Sequence, residues 1–503
     1  MWKRPTTIVV FLTYILTCCF MIHYEPFTNT IFRSLPAIST SNVLTLDNSD
    51  NSPMIIFASY YYYKPDDIVG LQIIGFSHCR NSAETVELIV AGQSFPVRSD
   101  ILNYGCPGVI SCFWLDYAMY TEIPASLKRS SMVQIVQNGQ TTPLRVAESA
   151  SAEERLSGLE ACVAPLYYYN HWIRVIEFVE IYRQQGVSHF YVYVSSVSRL
   201  VYDMLKVYQS TRLLTIVEWP ELPRIDNTTD YVFRLGQNAA IMDCVRRSTS
   251  KFVAIVDFDD YIVVENETLL DFVTREEQQN ANISAFTFEM TLVPQQARIG
   301  NLNNWQEVSF EDLEWGVLQS DQTATKPIVM PDKLYGVNPH TVYRQWKIPG
   351  SESEYQICQV NRTVGVAYHA RYAYAAYHER QVRNDTEKKQ LFPSEYIENL
   401  KSNFTKIMRQ FSSNHRNLTT PPTADIMEEC NGFKWGFCQM PYVNCRDAME
   451  DVDDWIFVTE HRGAEMVALA EKLPYIGNRI TVGIKLYATV LHIHLNLFQL
   501  NTT

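Results

Sequence analysis

The chain is short of positive charge. Its 503 residues include 42 lysines and arginines against 55 aspartates and glutamates, a formal net charge of −13 at pH 7. Domains that bind nucleic acid usually carry a basic patch or stripe, so this balance argues against a nucleic-acid partner. If the ligand is a phosphate compound, a metal ion or a local group of basic residues must offset its charge.

The cysteines lack the spacing of a zinc site. The chain has 11 cysteines, and an odd number of them follow residue 22. In an oxidising compartment most of these should pair, and at least one should remain free. The expected loop disulfides involve Cys106 with Cys112 and two members of the group Cys430, Cys438 and Cys445.

The N-terminus lacks a signal-peptide cleavage pattern. An uncharged run at residues 6–22 follows Lys3 and Arg4, and no small-x-small sequence comes after it. We therefore predict an uncleaved transmembrane anchor at 6–24, with residues 1–5 in the cytosol and the rest in the lumen of the Golgi or the ER–Golgi membranes. A cleaved signal peptide is the alternative.

The chain beyond the anchor divides by composition. A polar stem at 25–53 precedes a small β-rich domain at 54–147, where short apolar and alternating runs are broken by Gly, Pro and Asn. In this domain we interpret the aromatic run from Tyr60 to Tyr63 as residues that pack within a strand. A platform on which a sugar stacks is the alternative. Residues 416–503 form a disulfide-containing extension. Its apolar tail, 480–500, is interpreted as a packed or interfacial helix because charged residues interrupt it.

Residues 150–415 predict an α/β domain. Strands are expected at 161–168, 189–195, 213–219, 252–256 and 283–289, and helices at 171–185, 200–209 and 236–247. Short strands that alternate with helices indicate a parallel sheet with helices on both faces. Residues 290–380 are expected to be irregular, and 387–414 to be an amphipathic helical element.

The acidic end of one predicted strand points to the chemistry. Asp257, Asp259 and Asp260 directly follow the apolar run at 252–256. In an extended chain Asp257 and Asp259 share a face, while Phe258 points into the core. Ligands of open α/β sheets bind beyond the carboxyl ends of the strands, and two hard oxygen ligands suit Mn²⁺ or Mg²⁺ holding a diphosphate. Taken alone, the motif could also be a solvated acidic turn.

Glycosyl transfer from a nucleotide sugar fits these residues. A divalent ion offsets the charge that develops on a nucleoside diphosphate as it leaves. Far downstream, His369 could complete a carboxylate metal site, and Arg371 could hold a phosphate.

Four ordered blocks of the sequence, 162–170, 177–193, 236–244 and 252–260, resemble glycosyltransferase family 92. This family is expanded in nematodes and was long described as a domain of unknown function. The similarity runs from about 158 to 380. It implies a GT-A fold, with a Rossmann-like nucleotide half and an acceptor half. It also implies an inverting β-galactosyltransferase that uses UDP-galactose, a metal ion and fucose-bearing N-glycan acceptors.

The resemblance also implies roles for individual residues. Asp257, Asp259 and Asp260 match the family's acidic strand end as catalytic residues, where many relatives carry Asp-x-Asp-Glu. His369 and Arg371 match a late His-x-Arg of the family. Ala370 stands between them, where relatives often carry an aromatic residue. The expected Mn²⁺ ligands, or those of another divalent cation, are Asp257, Asp259 and His369. The expected nucleotide-sugar contacts are Gln237, Asp243, Asp257 and Arg371.

The catalytic base stays open, and so do two alternative functions. An inverting transfer needs a carboxylate that deprotonates the acceptor hydroxyl, and the candidates are Glu289, Glu311, Asp312, Glu314 and Asp321. The partners are a UDP-sugar donor and a glycan or glycoprotein acceptor. The alternatives are the same fold with another UDP-sugar, and an inactive family member that binds glycans or partner proteins.

Overall fold

The structure, a computed structural model, describes residues within the range 54–469. The described residues are 54–64, 68–78, 86–102, 114–127, 133–137, 140–219, 232–295, 305–317, 320–372, 388–415, 418–421, 423, 426, 430, 445–458 and 467–469. The predicted anchor, stem and apolar tail lie outside them, as do Cys106, Cys112 and Cys438. None of the helices within the described ranges combines the length and the apolar character that crossing a bilayer requires.

The described elements mix strands and helices between residues 156 and 295, and strands predominate both before 156 and from 315 to 390. The strands are β1 (Met54–Tyr63), β2 (Val69–His78), β3 (Val86–Val90), β4 (Gln93–Pro96), β5 (Arg98–Ile101), β6 (Trp114–Ile123), β7 (Val133–Gln137), β8 (Gln140–Leu144), β9 (Ala147–Glu148), β10 (Leu156–Leu166), β11 (Val187–Val194), β12 (Ser196–Ser198), β13 (Leu214–Glu218), β14 (Ser250–Val256), β15 (Asp260–Val264), β16 (Ile283–Gln295), β17 (Trp315–Val317), β18 (Ser320–Val329), β19 (Leu334–Val337), β20 (Val342–Gln345), β21 (Gln356–Gln359), β22 (Gly365–Tyr372), β23 (Lys388–Gln390), β24 (Trp455–Phe457) and β25 (Val467–Leu469). The α-helices are α1 (Trp172–Gln184), α2 (Arg199–Ser210), α3 (Gln237–Arg247), α4 (Leu269–Gln279), α5 (Glu311–Glu314), α6 (Ser394–Asn414) and α7 (Arg446–Met449).

A nine-stranded sheet forms the centre of the α/β domain, in the order β13-β11-β10-β14-β18-β16-β22-β15, with β21 beside β16. Strands β13, β11, β10 and β14 run parallel, whereas β18 is antiparallel to β14 and β16. Helices α1, α2, α4 and α6 pack on one face, and α3 packs on the other. The mixed α/β fold predicted from the alternating pattern is therefore confirmed.

The region 290–380 is the main error of the sequence interpretation. Its described residues, 290–295, 305–317 and 320–372, are not irregular, because β16 continues to Gln295 and β17 to β22 follow it. Much of β18 is polar, as in Ser320-Asp-Gln-Thr-Ala-Thr-Lys326, so it shows neither a continuous apolar run nor a clear alternation. Helix α6 begins at Ser394 rather than near 387, directly after Pro393, because proline disfavours a helical conformation in the residue before it.

The residues before the α/β domain, together with β25 from the C-terminal extension, build two stacked sheets. One has six strands, ordered β25-β1-β2-β6-β5 with β9 beside β1, and the other is β4-β3-β7-β8. Side chains such as Ile73, Leu88 and Ile135 fill the space between them. The opposite face of the six-stranded sheet packs on α3 and Trp219 through residues such as Phe76. Because both faces are covered, Tyr60 to Tyr63 are all buried, which confirms strand packing.

Two disulfides cross-link the described residues. Cys430 pairs with Cys445, as expected for that group, and Cys162 of β10 pairs with Cys244 of α3. The second bond was not predicted, because its cysteines are 82 residues apart. Cys358 carries a free thiol.

Candidate functional site

The order of the parallel strands defines a crevice between β10 and β14. The chain adds β11 and β13 on one side of β10 and then crosses to place β14 on the other side. Open α/β sheets bind ligands at such a switch point, beyond the carboxyl ends of the strands. Here the residues after β10 meet those after β14, and the Tyr169 and Phe258 rings stack with centroids 5.5 Å apart.

The three aspartates lie in a tight turn between β14 and β15. The Asp260 N–H donates to the Asp257 carbonyl at 3.0 Å, and the Asp257 N–H donates to Asp260 Oδ2 at 3.1 Å. The chain is therefore not extended across Asp257 and Asp259, as the sequence interpretation assumed. Phe258 is buried, as expected, and the turn exposes 38% of each of the Asp257 and Asp259 side chains while Asp260 is fully buried.

Lys326 is the residue that sequence reasoning missed. Its ammonium lies 2.7 Å from Asp257 Oδ2 and 2.6 Å from Asp260 Oδ2, and its side chain is 1% exposed. Antiparallel pairing of Ala254 with Ile328 brings Lys326, in the second half of β18, level with the end of β14. Burial lowers the pKa of Lys326, but the two carboxylates outweigh it and raise the pKa above its usual value. The only sequence signal was the short apolar run 327–330 after this lysine.

His369 faces the turn from β22, where it pairs directly with Asp260 of β15. Its Nδ1 lies 2.7 Å from Asp260 Oδ1. Burial raises the pKa of Asp260, but Lys326 and His369 outweigh it and hold the pKa well below its usual value. An ionised carboxylate can only accept, so Nδ1 carries the proton. Nε2 is then directed toward Asp259, whose Oδ2 is 3.9 Å away.

The neighbouring carboxylates keep His369 protonated. Burial lowers the pKa of the imidazole, but the charge of Asp259 and the hydrogen bond with Asp260 outweigh it and raise the pKa to about 9. Together with Lys326, the imidazolium offsets most of the charge of the three carboxylates. A cation that binds Nε2 must displace this proton.

The donor set fits a divalent cation. Ligand atoms of Asp259, Asp260 and His369 all lie within 4.8 Å of one another, and carboxylate oxygens with one imidazole suit Mn²⁺ or Mg²⁺. Lys326 and His369 already engage both oxygens of Asp260. Asp259 and His369 Nε2 are therefore the groups best placed to hold the ion, and Asp260 orients the histidine as outer-shell carboxylates do.

The residues expected to contact the nucleotide lie in different surroundings. Gln237 is the first residue of α3 and is half-buried. Asp243 is fully buried and accepts hydrogen bonds from Tyr60, Tyr193 and, at 2.5 Å, Arg247 Nε. This network joins α3 to β1 and β11, which is a structural role. The side chain of Arg371 lies outside what the structure describes, although its backbone pairs with Pro294.

The approach to α3 has an unusual backbone. Arg234, Leu235 and Gly236 all have positive φ, at 44°, 54° and 78°. The Leu235 carbonyl accepts hydrogen bonds from Tyr167 Oη at 2.8 Å and Trp219 Nε1 at 3.1 Å, and both donors follow strands of the parallel sheet. The turn therefore forms a fixed wall at the carboxyl ends of β10 and β13.

The buried side chain of Asp116, which belongs to β6, lies against the first turn of α3. Its Oδ2 accepts from Asn238 Nδ2 at 3.1 Å, and the backbone N–H groups of Asn238 and Ala239 also face it. Burial raises the pKa of Asp116, and these hydrogen bonds lower it by less, so the pKa reaches about 8. The β-rich domain thus caps a helix of the α/β domain.

Three of the five candidate bases lie on α5. Glu311 is exposed, whereas Asp312 and Glu314 are half-buried. Glu314 Oε1 accepts a hydrogen bond from Ser394 Oγ at 2.7 Å. Glu289 is exposed on β16, and the side chain of Asp321 lies outside the described residues. Gln295 Nε2 donates to the Asp312 carbonyl at 3.4 Å, which holds α5 at the end of β16.

Known proteins resemble parts of this chain. The sequence model of glycosyltransferase family 92 matches residues 157–408. A glycosyltransferase family 92 protein of Caenorhabditis elegans is 24% identical over 234 residues, covering 44% of this chain and 44% of that protein. The beta-1,4-galactosyltransferase galt-1 of the same organism is 28% identical over 107 residues, covering 20% of this chain and 24% of its own length.

Each of these matches covers less than half of the relative. A solved structure of glucosyl-3-phosphoglycerate synthase from Mycobacterium tuberculosis is 12% identical over 35% of this chain and 57% of that chain. Its TM-score of 0.20 is too low to support an argument. The family assignment depends instead on the match over 157–408, which is half of the chain and includes the acidic turn, Lys326 and His369. The chain belongs to glycosyltransferase family 92.

Proposed function

We propose that the protein is a metal-dependent, inverting glycosyltransferase that moves galactose from UDP-galactose to a glycan, with a fucose-bearing N-glycan as the acceptor. The observation that carries the proposal is the pairing of Asp259 with His369 Nε2 at a switch-point crevice, within the region matched by the family. The galactosyltransferase among the relatives favours galactose as the transferred sugar.

The site offers the groups that this reaction requires. Asp259 and His369 would hold the cation, and the cation would offset the charge of the diphosphate. Asp260 keeps the imidazole in the required orientation, and Lys326 keeps Asp257 and Asp260 in place without a metal. Charge groups that are already positioned need not reorganise during the reaction, which is the main advantage of such a site.

The bond changes follow from inversion. The oxygen of an acceptor hydroxyl bonds to the anomeric carbon as the bond from that carbon to the β-phosphate oxygen breaks. The hydroxyl proton passes to a carboxylate, and UDP leaves with the electron pair. We place this carboxylate on α5, where Glu311 and Asp312 are the candidates and Glu314 is engaged by Ser394. If one of these two residues is the base, then either Glu311→Gln or Asp312→Asn should abolish transfer, and UDP binding should persist in that variant.

A donor screen tests the function. The purified full-length protein is incubated with Mn²⁺, a fucose-bearing N-glycan and, in turn, UDP-galactose, UDP-glucose and UDP-N-acetylglucosamine, and released UDP is measured. We expect the highest rate with UDP-galactose. A higher rate with another donor would replace the sugar but keep the enzyme class. No release from any donor, with glycan binding retained, would identify an inactive binding protein.

We propose that a single N-terminal anchor holds the protein in the Golgi or ER–Golgi membranes, with the catalytic domain in the lumen. The disulfides Cys162–Cys244 and Cys430–Cys445 support an oxidising compartment. Because the sequence carries Asn-x-Ser/Thr acceptors at Asn227, Asn266 and Asn282, among others, glycosidase treatment should shift the mobility of the full-length protein while its N-terminus remains intact. A mature protein that begins after residue 20 would overturn the anchor.

A further inference from the structure

Four Asn-x-Ser/Thr sequences fall within the residues that the structure describes, at Asn266, Asn282, Asn361 and Asn403. Such a sequence is an acceptor for N-linked glycosylation in a secreted or lumenal chain, and the modified asparagine lies on the surface. Several arise by chance in a chain rich in asparagine, so the sequence alone does not tell which ones carry sugar. The surroundings of each side-chain amide separate them.

Asn361 begins an exposed turn between β21 and β22. Its carbonyl accepts a hydrogen bond from the Val364 N–H at 2.8 Å, and its Oδ1 accepts from the N–H and the hydroxyl of Thr363, both at 2.9 Å. Its Nδ2 donates to no residue in the part of the chain that the structure describes. The turn therefore fixes this side chain through its oxygen and leaves free the nitrogen to which a glycan is attached.

The same turn leaves an apolar side chain uncovered. Val364 is 40% exposed, and few large hydrophobic side chains of the described residues are as open. The faces of a sugar ring carry C–H groups, and contact between such a face and a valine removes apolar surface from water. Single exposed hydrophobic residues are common, so Val364 supports a glycan here only because a free amide nitrogen lies in the same turn.

Two other acceptors also have a free side-chain amide. Asn266 follows β15, Asn282 precedes β16, and both are exposed. Neither side chain forms a hydrogen bond within the described ranges. The Glu265 N–H donates to the Val364 carbonyl at 2.9 Å, so Asn266 and Asn361 lie on adjoining turns. The β15–β22 pairing puts this end of the two strands roughly 13 Å from the acidic turn, and sugars on the adjoining turns leave that turn uncovered.

Asn403 is the opposite case. It is half-buried on α6, and its Nδ2 donates to Glu180 Oε2 of α1 at 2.7 Å. Glu180 is 2% exposed and also accepts from Tyr208 Oη at 3.0 Å. A sugar on this nitrogen would have to enter the space between the two helices and disturb the hydrogen bonds of a buried carboxylate, which is costly.

We propose that Asn361 carries an N-linked glycan whose first sugar covers Val364. Asn266 and Asn282 are modified as well, whereas Asn403 is not. The inference rests on the proposed lumenal location and not on the transfer reaction. The co-reactant is an oligosaccharide activated as a lipid diphosphate. Its anomeric carbon bonds to Nδ2 as the bond from that carbon to the diphosphate oxygen breaks, Nδ2 loses one proton, and the lipid diphosphate leaves with the electron pair.

Peptide mapping of the full-length protein, produced in eukaryotic cells, tests the assignment. A peptide amidase that releases N-glycans in water labelled with oxygen-18 converts each modified asparagine to a labelled aspartate. We expect label at Asn266, Asn282 and Asn361 and none at Asn403. Label at Asn403, or no label at Asn361 in a protein labelled at other acceptors, would overturn the inference and keep the lumenal location. A protein with no label at any asparagine would overturn both.

Variants of the third acceptor residue give an independent measurement. Thr363→Ala should remove one glycan and increase electrophoretic mobility by one step, whereas Thr363→Ser keeps the required hydroxyl and should keep the glycan. Thr405→Ala is the matched control, because it removes the acceptor sequence of Asn403 and should leave the mobility unchanged. A mobility step in Thr405→Ala, or none in Thr363→Ala, would overturn the inference.

Melting temperatures test the contact with Val364. Thr363→Ala should melt below Thr363→Ser, because the valine loses its cover and the turn loses a hydrogen bond. In a Val364→Thr background most of this difference should disappear, since little apolar surface remains to be covered. A difference of the same size in both backgrounds would show that the first sugar does not cover Val364.

Discussion

Lys326 Nζ lies 2.6 Å from Asp260 Oδ2, and both side chains are almost completely removed from solvent. The same ammonium reaches Asp257 Oδ2 at 2.7 Å. A buried charge is costly unless it is paired, so Lys326 depends on the two carboxylates, and Asp260 depends on Lys326 and on His369. This ion cluster keeps the acidic turn in shape before a metal or a donor binds.

Lys326→Met should destabilise the protein strongly. The substitution removes the cation but leaves the buried Asp260 carboxylate, and breaking a buried pair in this way costs about 3–5 kcal/mol. The control is Lys251→Met, because Lys251 pairs with Glu277 at 2.7 Å but is 38% exposed. Exposed pairs contribute about 1 kcal/mol or less. Urea unfolding of both variants measures the difference, and equal small losses would contradict the importance of the buried pair.

Asp259→Asn should remove the metal site while the fold persists. Its side chain is 38% exposed and faces His369 Nε2, so the amide keeps the shape but not the charge. We expect Mn²⁺ affinity, measured by electron paramagnetic resonance, to fall at least about a hundredfold, and transfer to be lost with it. His369→Ala should weaken Mn²⁺ binding more mildly.

Asp257→Asn is the matched variant, because Asp257 is equally exposed but is engaged by Lys326. It should reduce Mn²⁺ affinity less than Asp259→Asn. Full transfer activity in Asp259→Asn, or an unchanged rate after chelator treatment, would show that the reaction does not depend on this metal site.

Asp116 should make stability fall as the pH rises. Its pKa is about 8 in the folded protein, above its usual value of 3.8, so the folded state holds a proton that the unfolded state releases. The stabilisation is complete below about pH 4 and is lost progressively as the pH rises to about 8. The slope is at most about 1.4 kcal/mol per pH unit.

Asp116→Asn keeps the shape and cannot titrate. Urea midpoints of the wild type and the variant should therefore be compared at pH 5, 6.5 and 8. The wild type should lose stability relative to the variant across this range. Parallel curves would mean that Asp116 is ionised throughout, as expected if its hydrogen bonds to the α3 N-terminus dominate over burial.

The Cys162–Cys244 disulfide should stabilise the fold more than Cys430–Cys445. Their sequence separations are 82 and 15 residues, and a longer closed loop restricts the unfolded chain more. The chain-entropy relation predicts about 4.5 and 3 kcal/mol for the two bonds. Paired Cys→Ala variants and their urea midpoints measure both contributions. The reverse order would show that native-state packing, not loop entropy, dominates.

Gly236 should tolerate alanine less well than Gly92. Both have positive φ, at 78° and 81°, so a Cβ atom is strained at either position. At Gly92 nothing lies within 4 Å of the added atom, whereas at Gly236 it would come within 2.7 Å of the Phe76 ring. We expect a loss of about 1–2 kcal/mol for Gly92→Ala and about 3 kcal/mol or more for Gly236→Ala. Similar melting temperatures would mean that Phe76 moves aside freely.

Local sequence determined the parallel half of the central sheet and its helices. Strands β10, β11, β13 and β14 are short apolar runs, and α1 to α3 carry helical periodicity between them, so both follow from the pattern of neighbouring residues. An apolar run that ends in Asp257, Asp259 and Asp260 also marked where a ligand could bind. These inferences depend only on residues that are near one another in the chain.

Only the tertiary structure decided what each of these residues contacts. The register of β18 against β14 brings Lys326 to the acidic turn, and the pairing of β22 with β15 sets His369 against Asp260. Packing of β1 on α3 commits Asp243 to Tyr60. Such contacts join residues 69 to 183 positions apart, and they depend on strand register and on the burial of charge, which no local pattern in the sequence contains.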